Sequence, residues 1–286
     1  MIHYITYSNE LYSNTRDYSV LMAKKYGRVD TVTSYKPEDI DEIFFEEHKD
    51  ILSVKTGNGL WLWKPYFLDK KLSEVNEGDY VIYCDAASFF IKPCKVLIDS
   101  MSYSDIWLSN IPLIEKQFTK PELFNYMNCN FPEYTDTNQI QANFIIVRKS
   151  KKSVEFIKEW LKLCSKKELI TRDTYYSKQS PDFYFICHRS DQSILSLLAK
   201  KYKIPTHLDP TQYGRVPEKY YAKDRIFKIP DHSEAYRPCI ILHRKQKIET
   251  LTVFNQWVFT WFPKRLIPII STPVRNYKKL EKTKNK

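Results

Sequence analysis

Glycine is scarce in this sequence, with five glycines among 286 residues. They form neither a GxGxxG pattern nor a GxxxxGK(S/T) pattern. Glycines in these patterns let the backbone approach the phosphate groups of a dinucleotide or a nucleoside triphosphate. Their absence argues against a Rossmann dinucleotide site and against a P-loop.

Paired cysteines and long apolar runs are also missing. The six cysteines are scattered without a CxxC pair, so we expect buried thiols in a reducing compartment. No stretch approaches the roughly 18 apolar residues that a membrane-spanning helix needs. The first seven residues lack the basic segment and cleavage site of a signal peptide. We therefore expect a cytoplasmic protein.

Positive charge is concentrated at the end of the chain. From Lys264 onward the chain contains eight lysines and arginines and one acid, Glu281, which give a net charge of +7. The first 263 residues therefore carry only +4 of the net +11. The aromatic stretch 257–263 precedes these cations, a pattern typical of a membrane surface. An aromatic helix packed on the body, followed by a frayed basic end, explains it equally. No nucleic-acid-binding motif appears, so we expect no nucleic-acid partner.

The order of elements predicts an α/β fold with a mainly parallel central sheet flanked by helices. We predict strands at 3–7, 29–34, 80–84, 105–109, 143–147 and 240–242, and helices at 16–26, from Pro37, from Pro65, at 154–164 and at 191–202, the last capped by Ser190. The region 110–138 is expected to be irregular, as substrate-binding insertions often are. We place this domain at 1–250 and a C-terminal aromatic and basic extension at 251–286.

The apolar run Tyr80–Cys84 ends in Asp85, and Ala86 and Ala87 follow. Ligands of open α/β sheets bind outside the carboxyl ends of the strands. Asp85 is therefore a candidate ligand-binding residue, and the two alanines leave room for a bulky group beside it. A carboxylate that caps the next turn is the alternative.

His243 directly follows the predicted strand 240–242. Strand ends of a parallel sheet converge on one edge, so Asp85 and His243 are expected to meet. Carboxylate and imidazole ligands suit manganese or magnesium, which would neutralise a diphosphate. The cations in 244–247 add positive charge there. An ordinary surface histidine is the alternative.

Other polar residues fall at strand ends or helix starts. Asp191 opens a helix, where it is either a catalytic carboxylate or a stabiliser of the first turn. The amides of Gln139, Gln141 and Asn143 suit sugar hydroxyls. Lys64 could pair with a phosphate or extend from a helix start into solvent.

Four segments together resemble GT-A glycosyltransferases of bacterial and viral capsule, lipopolysaccharide or glycan synthesis. They are GNGLWLWKP at 57–65, GDYVIYCD at 78–85, QIQANF at 139–144 and RSDQS at 189–193, followed by the strand that ends at His243. The likeness covers roughly residues 1–250. It implies a Rossmann-like GT-A fold, a nucleotide-sugar donor, and a glycan or lipid-linked acceptor.

The resemblance also implies roles for single residues. Asp85 takes the first position of the DXD motif, and His243 would be the distal ligand of a manganese or magnesium ion. Ala87 stands where the second acid belongs, so weak or absent metal dependence stays open. Asp191 is the candidate catalytic carboxylate. The other donor-side residues are Thr6, Tyr7, Lys64, Ala86, Gln141 and Asn143, and those on the sugar or acceptor side are Gln139, His188 and Gln192.

Two other classes of protein remain as alternatives. A sugar nucleotidyltransferase is disfavoured because residues 6–9 are not a glycine-rich basic loop. A basic module that binds membrane or nucleic acid without catalysis is compatible with the tail. Within the transferase hypothesis, inverting and retaining reactions are both open.

Overall fold

The structure is a computed structural model that describes residues 1–101, 103–172, 185–234, 236–249, 253–254 and 260–261. Its strands are β1 (Ile2–Tyr7), β2 (Thr31–Tyr35), β3 (Tyr80–Cys84), β4 (Ser88–Phe90), β5 (Ile106–Ile114), β6 (Asn138–Ile140), β7 (Phe144–Arg148), β8 (Thr206–His207) and β9 (Ile240–Leu242). Its helices are α1 (Ser13–Met22), α2 (Glu42–Glu47), α3 (Lys49–Leu52), α4 (Gly57–Leu60), α5 (Trp63–Glu74), α6 (Lys95–Asp99), α7 (Glu115–Phe118), α8 (Pro121–Met127), α9 (Pro132–Thr135), α10 (Lys151–Cys164), α11 (Lys167–Ile170), α12 (Asp191–Lys201) and α13 (Gln212–Arg215). A π-helical turn (Ala23–Gly27) extends α1, and 3-10 turns cover Glu10–Tyr12, Pro37–Asp39 and Pro217–Tyr220.

Seven of these strands form the central sheet, in the order β2-β1-β3-β7-β5-β6 with β8 also beside β5. β1 is parallel to β2 and β3, and β8 is parallel to β5. β7 is antiparallel to β3 and β5, and β6 is antiparallel to β5. All of these strands except β6 and β7 therefore run in one direction. The predicted α/β fold with a mainly parallel sheet flanked by helices is confirmed.

The central sheet is buried on both faces. Val81 and Tyr83 of β3 enter one core, which helices α5, α10 and α12 cover. Ile82 and Cys84 enter the other, together with residues of β4 and α6. Successive side chains of a strand point to opposite faces, so β3 must be apolar along its length. That requirement explains the uninterrupted run before Asp85.

A two-stranded antiparallel sheet joins the end of β3 to the last strand. β4 pairs with β9, with Ser88 opposite Leu242. The backbone N–H of His243 then donates to the carbonyl of Ala87 at 3.0 Å. Residues 243 and 244 are thus held beside the loop that carries Asp85.

Two local predictions differ from the structure. The region 110–138 is not irregular, because β5 continues to Ile114 and α7, α8, α9 and β6 follow. Nearly all of β5 is buried, and that burial favours an extended, paired chain. Ser190 does precede α12, but its φ is 47° and its hydroxyl makes no capping hydrogen bond. A capping side chain normally needs an extended backbone at this position.

Most of the predicted extension, 251–286, lies outside the described residues. Of its described members, Thr260 accepts a hydrogen bond from Arg215, and the ring of Trp261 lies 5.0 Å from the Lys92 Nζ. No helix in the described ranges has the length and apolar character needed to cross a bilayer.

Candidate functional site

A cavity of about 770 Å³ opens where β1 and β3 end. Small-molecule sites in proteins typically measure about 300–1,000 Å³. The residues after β1, the turn before α5, the residues after β3 and the start of α12 all contribute to its lining. Its place at the carboxyl ends of parallel strands is where open α/β sheets bind ligands.

The short element α4 and Trp61 form a left-handed turn before α5 instead of a regular α-helix. Residues 57–61 all have positive φ, between 52° and 94°. Each non-glycine residue in this left-handed region costs roughly 1–2 kcal/mol, and glycine avoids most of that cost. Gly57 and Gly59 therefore fall where the turn needs them, and the turn presents Asn58 and Trp61 to the cavity. The carbonyl of Gly57 accepts a hydrogen bond from Trp63 Nε1 at 2.9 Å, which ties the turn to α5.

Lys64 joins the two carboxylates of the cavity. Its Nζ lies 3.0 Å from Asp191 Oδ2 and 3.5 Å from Asp85 Oδ1. Lys64 belongs to the first turn of α5, Asp85 follows β3, and Asp191 begins α12. Lys64 and Asp191 are buried, whereas the Asp85 side chain is 33% exposed. The fold thus gathers three charged groups from distant segments.

The surroundings shift the protonation of these groups. Burial raises the pKa of Asp191 to about 6, and the nearby Lys64 ammonium limits the rise. Burial alone lowers the pKa of Lys64, but Asp191 and Asp85 outweigh it, so the pKa is raised. The Tyr83 hydroxyl donates to Asp85 Oδ1 at 2.5 Å, and burial raises the pKa of Tyr83 well above 10.0. Asp191 can therefore exchange a proton near neutral pH, as a general base must.

Positive charge dominates the cavity. The cationic residues of its lining are Lys55, Lys64, Arg172, Arg189, Arg225 and Arg244. Among the described lining residues, Asp85 and Asp191 are the acids. A cleft with such an excess of cations concentrates anionic ligands.

Aromatic rings and polar atoms without hydrogen-bond partners complete the lining of the cavity. Tyr7 stacks on Trp63 with ring centroids 3.9 Å apart, and the Arg172 guanidinium lies 5.3 Å from the Trp61 ring. Asn143 Oδ1 is buried without a hydrogen-bond partner in the described part of the chain, and so are the Ser8 Oγ and the Asn9 Oδ1. Buried polar atoms are normally paired, so these atoms are positioned for a polar ligand.

Nine of the predicted site residues line the cavity. They are Tyr7, Lys64, Asp85, Ala86, Ala87, Gln141, Asn143, Asp191 and Gln192.

The other four predicted residues, Thr6, Gln139, His188 and His243, are not in the described lining. Thr6 donates to the carbonyl of Cys84 at 2.8 Å, and His188 contacts the backbone N–H of Lys120 and the carbonyl of Leu169. Both side chains contact backbone groups within the fold.

Gln139 lies beneath the cavity instead of facing it. Its Nε2 donates to Glu115 Oε1 at 3.1 Å. Its Oε1 accepts from Arg189 Nη1 at 3.2 Å and from Gln192 Nε2 at 2.8 Å. Gln139 therefore orients two side chains that do reach the cavity.

The described residues offer few ligands to the predicted manganese or magnesium ion. Asp85 already contacts the Lys64 ammonium, and Ala87 supplies no carboxylate. The His243 ring lies 5.9 Å from the Phe89 ring, outside the described cavity lining. No cluster of three histidine, cysteine or acidic side chains suitable for a metal occurs in the described ranges. The predicted pair of Asp85 and His243 therefore has no third such side chain beside it in the described ranges, while the His243 Nε2 is buried there without a hydrogen-bond partner.

The prediction missed much of the positively charged wall. Arg172, Tyr220 and Arg225 lie far from any motif in the sequence, and the tertiary fold alone brings them to the cavity. Arg244 belongs to the cations at 244–247 that the sequence predicted at this edge, and Arg189 opens the RSDQS segment.

No family model and no curated protein matches this sequence. Among solved structures, the chain is similar to the glycosyltransferase GlyE of Streptococcus pneumoniae TIGR4, with 13% identity and a TM-score of 0.46 over 96% of this chain and 63% of that chain. It is similar to mouse xyloside xylosyltransferase 1, with 9% identity and a TM-score of 0.46 over 87% of this chain and 100% of that chain. A galactosyltransferase, LgtC, solved with donor and acceptor sugar analogues, has 13% identity and a TM-score of 0.45 over 92% of this chain and 98% of that chain.

These structures are all glycosyltransferases by name, and this chain spans only 63% of the length of GlyE. Their identities and TM-scores are too low to carry an inference about activity or substrate.

Proposed function

We propose that this chain is a glycosyltransferase that moves a sugar from a nucleoside-diphosphate sugar to a hydroxyl of a glycan or lipid-linked acceptor. The observation that carries the proposal is the Lys64–Asp85–Asp191 group in a cationic cavity at the end of β3. In this proposal the cationic side chains bind the diphosphate, and the aromatic rings and unpaired amides contact the nucleoside and the sugar. The buried carboxylate of Asp191 contacts the acceptor.

The reaction breaks the bond between the anomeric carbon and the diphosphate oxygen and forms a bond to the acceptor oxygen. In an inverting reaction Asp191 takes the proton of the acceptor hydroxyl, for which its pKa of about 6 is suited. In a retaining reaction the same carboxylate lies on the other face of the sugar. The diphosphate leaves with added negative charge, which preorganised cations stabilise.

Binding and turnover with UDP-, GDP- and dTDP-sugars test the proposal. A donor at 100 times its Kd should stabilise the native state by about 2.7 kcal/mol, which a thermal shift detects. Asp191→Asn should still bind the nucleoside diphosphate while turnover falls by roughly 10²- to 10⁴-fold. Asp105→Asn is the matched control, because Asp105 pairs with Arg148 away from the cavity lining. Absence of stabilisation by every donor, or full turnover in Asp191→Asn, would contradict the proposal.

A further inference from the structure

We propose that Arg189, Arg225 and Arg244, gathered around Tyr220, bind the diphosphate of the donor directly and replace a divalent metal ion. The inference rests on the proposed function. It arises from the mismatch between the residues of the cavity and the metal site that the sequence predicted.

Two of the three arginines contact the same tyrosine, and the third lines the same cavity. Arg225 Nη1 donates to the Tyr220 carbonyl at 3.0 Å, and Arg244 Nη2 lies 3.4 Å from the Tyr220 hydroxyl. Arg189 interacts electrostatically with both Tyr220 and Arg225. All four residues line the cavity. Three separate segments of the chain therefore contribute positive charges to one region of the cavity.

No carboxylate of the described ranges lies within ion-pair distance of this cluster, and Asp209 interacts with Arg244 only at longer range. Within the described ranges, none of the three arginines forms an ion pair with a carboxylate. Arg225 Nε is buried and has no hydrogen-bond partner among the described residues. Burial, and to a smaller extent Arg225, lower the pKa of Arg189. The three like charges repel one another, and an anionic ligand bound between them would offset that repulsion.

Arg244 adjoins the position of the missing second acid. Its backbone N–H donates to the carbonyl of Ala87 at 3.2 Å. Its φ of 57° places it in the left-handed region, a strained conformation that is common at ligand sites. Its guanidinium lies 4.7 Å from the centroid of the Tyr213 ring, which restricts its motion. A cationic residue thus stands beside Ala87, where a DXD motif has its second carboxylate.

The geometry and charge suit a diphosphate. A guanidinium presents a planar fork that binds two phosphate oxygens at once. Lys64 already pairs with Asp85 and Asp191, so the arginines supply the remaining neutralisation. Arg189 is further held by Gln139 and by the Phe118 ring, 4.1 Å from its guanidinium carbon.

Calorimetric titration with inorganic pyrophosphate in the presence of EDTA tests the site. The full chain should bind pyrophosphate without metal, and added manganese should not tighten the binding. Arg225→Gln and Arg244→Gln should each weaken it by roughly 10- to 100-fold. Arg148→Gln is the control, because that arginine pairs with Asp105 outside the cavity lining. Unchanged melting temperatures without ligand separate lost binding from lost folding.

Two results would overturn the proposal: binding that requires manganese, or arginine variants that bind like the unchanged protein. A competition experiment identifies the phosphate source. Nucleoside diphosphates should displace pyrophosphate, and simultaneous binding of both would overturn the assignment to the donor. Metal-free pyrophosphate binding without sugar transfer would leave the arginine site standing and contradict the proposed function. Manganese-dependent transfer that persists in the arginine variants would contradict the arginine site alone.

Discussion

One lysine controls the charge of the two acids in the cavity. Lys64 lies between Asp191 and Asp85, and all three groups lack other charged partners within 4.0 Å in the described residues. The free energy of ionising Asp191 therefore depends on two opposing effects, burial and the Lys64 ammonium. A change at Lys64 should appear directly in the titration of Asp191.

The first prediction concerns the pH dependence of kcat/KM. Asp191 must be deprotonated to accept a proton, so the rate should rise with pH through an apparent pKa near 6. Lys64→Met removes the nearby positive charge that lowers the pKa of Asp191, so the rise should move to higher pH. Lys71→Met is the control, because Lys71 lies in the same helix but pairs with Glu74. An identical pH profile in Lys64→Met would show that the ion pair does not set this titration.

At the scale of elements, the left-handed turn at 57–61 links the sequence pattern to the site. Two of its residues are glycine, and it places Asn58 where its Nδ2 donates to the Tyr7 hydroxyl. The motif GNGLWLWKP therefore reflects the backbone of this turn as well as the rings and lysine that follow.

Gly57→Ala should destabilise the protein more than Gly78→Ala. Both glycines have positive φ, so each substitution adds roughly 1 kcal/mol of backbone strain. At Gly57 a Cβ atom would also lie 2.4 Å from the Trp61 ring, whereas at Gly78 it meets nothing within 4 Å. Overpacking of this kind costs roughly a further 1–3 kcal/mol.

Urea unfolding of the two variants measures this difference. Equal losses of unfolding free energy would show that Trp61 moves aside without cost. Donor binding should also weaken in Gly57→Ala alone, because the substitution displaces a ring of the cavity wall.

At the scale of the whole molecule, a buried histidine couples stability to pH. His188 is fully buried between Lys120 and Leu169, and burial lowers its pKa to about 3. The unfolded chain binds a proton at this histidine near pH 6.5, while the native state remains neutral. Stability from this group is therefore present above pH 6.5 and is lost as the pH falls toward 3.

We predict that His188 accounts for a loss of about 2 kcal/mol of unfolding free energy between pH 7 and pH 5. His188→Gln keeps a donor and an acceptor but cannot titrate, so this part of the loss should disappear. Asp191 contributes with the opposite sign, since its pKa is raised, but it does so equally in both proteins. Denaturation at the two pH values measures the change, with His48→Gln as the control. The same pH loss in His188→Gln would contradict this assignment.

Local patterns in the sequence were sufficient to predict most elements of the fold. The apolar run of β3, the stripe of α10 and the start of α12 are properties of short segments, and the structure contains each of them. The length of β5 was missed because its pairing with β6, β7 and β8 depends on distant chain segments. Neighbouring residues do not encode such pairing.

The sequence alone is enough to recognise that an acid follows a central strand, that a second acid opens a helix, and that a lysine precedes Pro65. These positions follow from local periodicity and from the meeting of strand ends at one edge. Tertiary structure decided where each side chain points. It buried Gln139 and His188, turned the His243 ring toward Phe89, and brought Arg225 and Arg244 to Tyr220. Side-chain direction depends on packing against residues far away in the chain, and that packing exists only once the chain has folded.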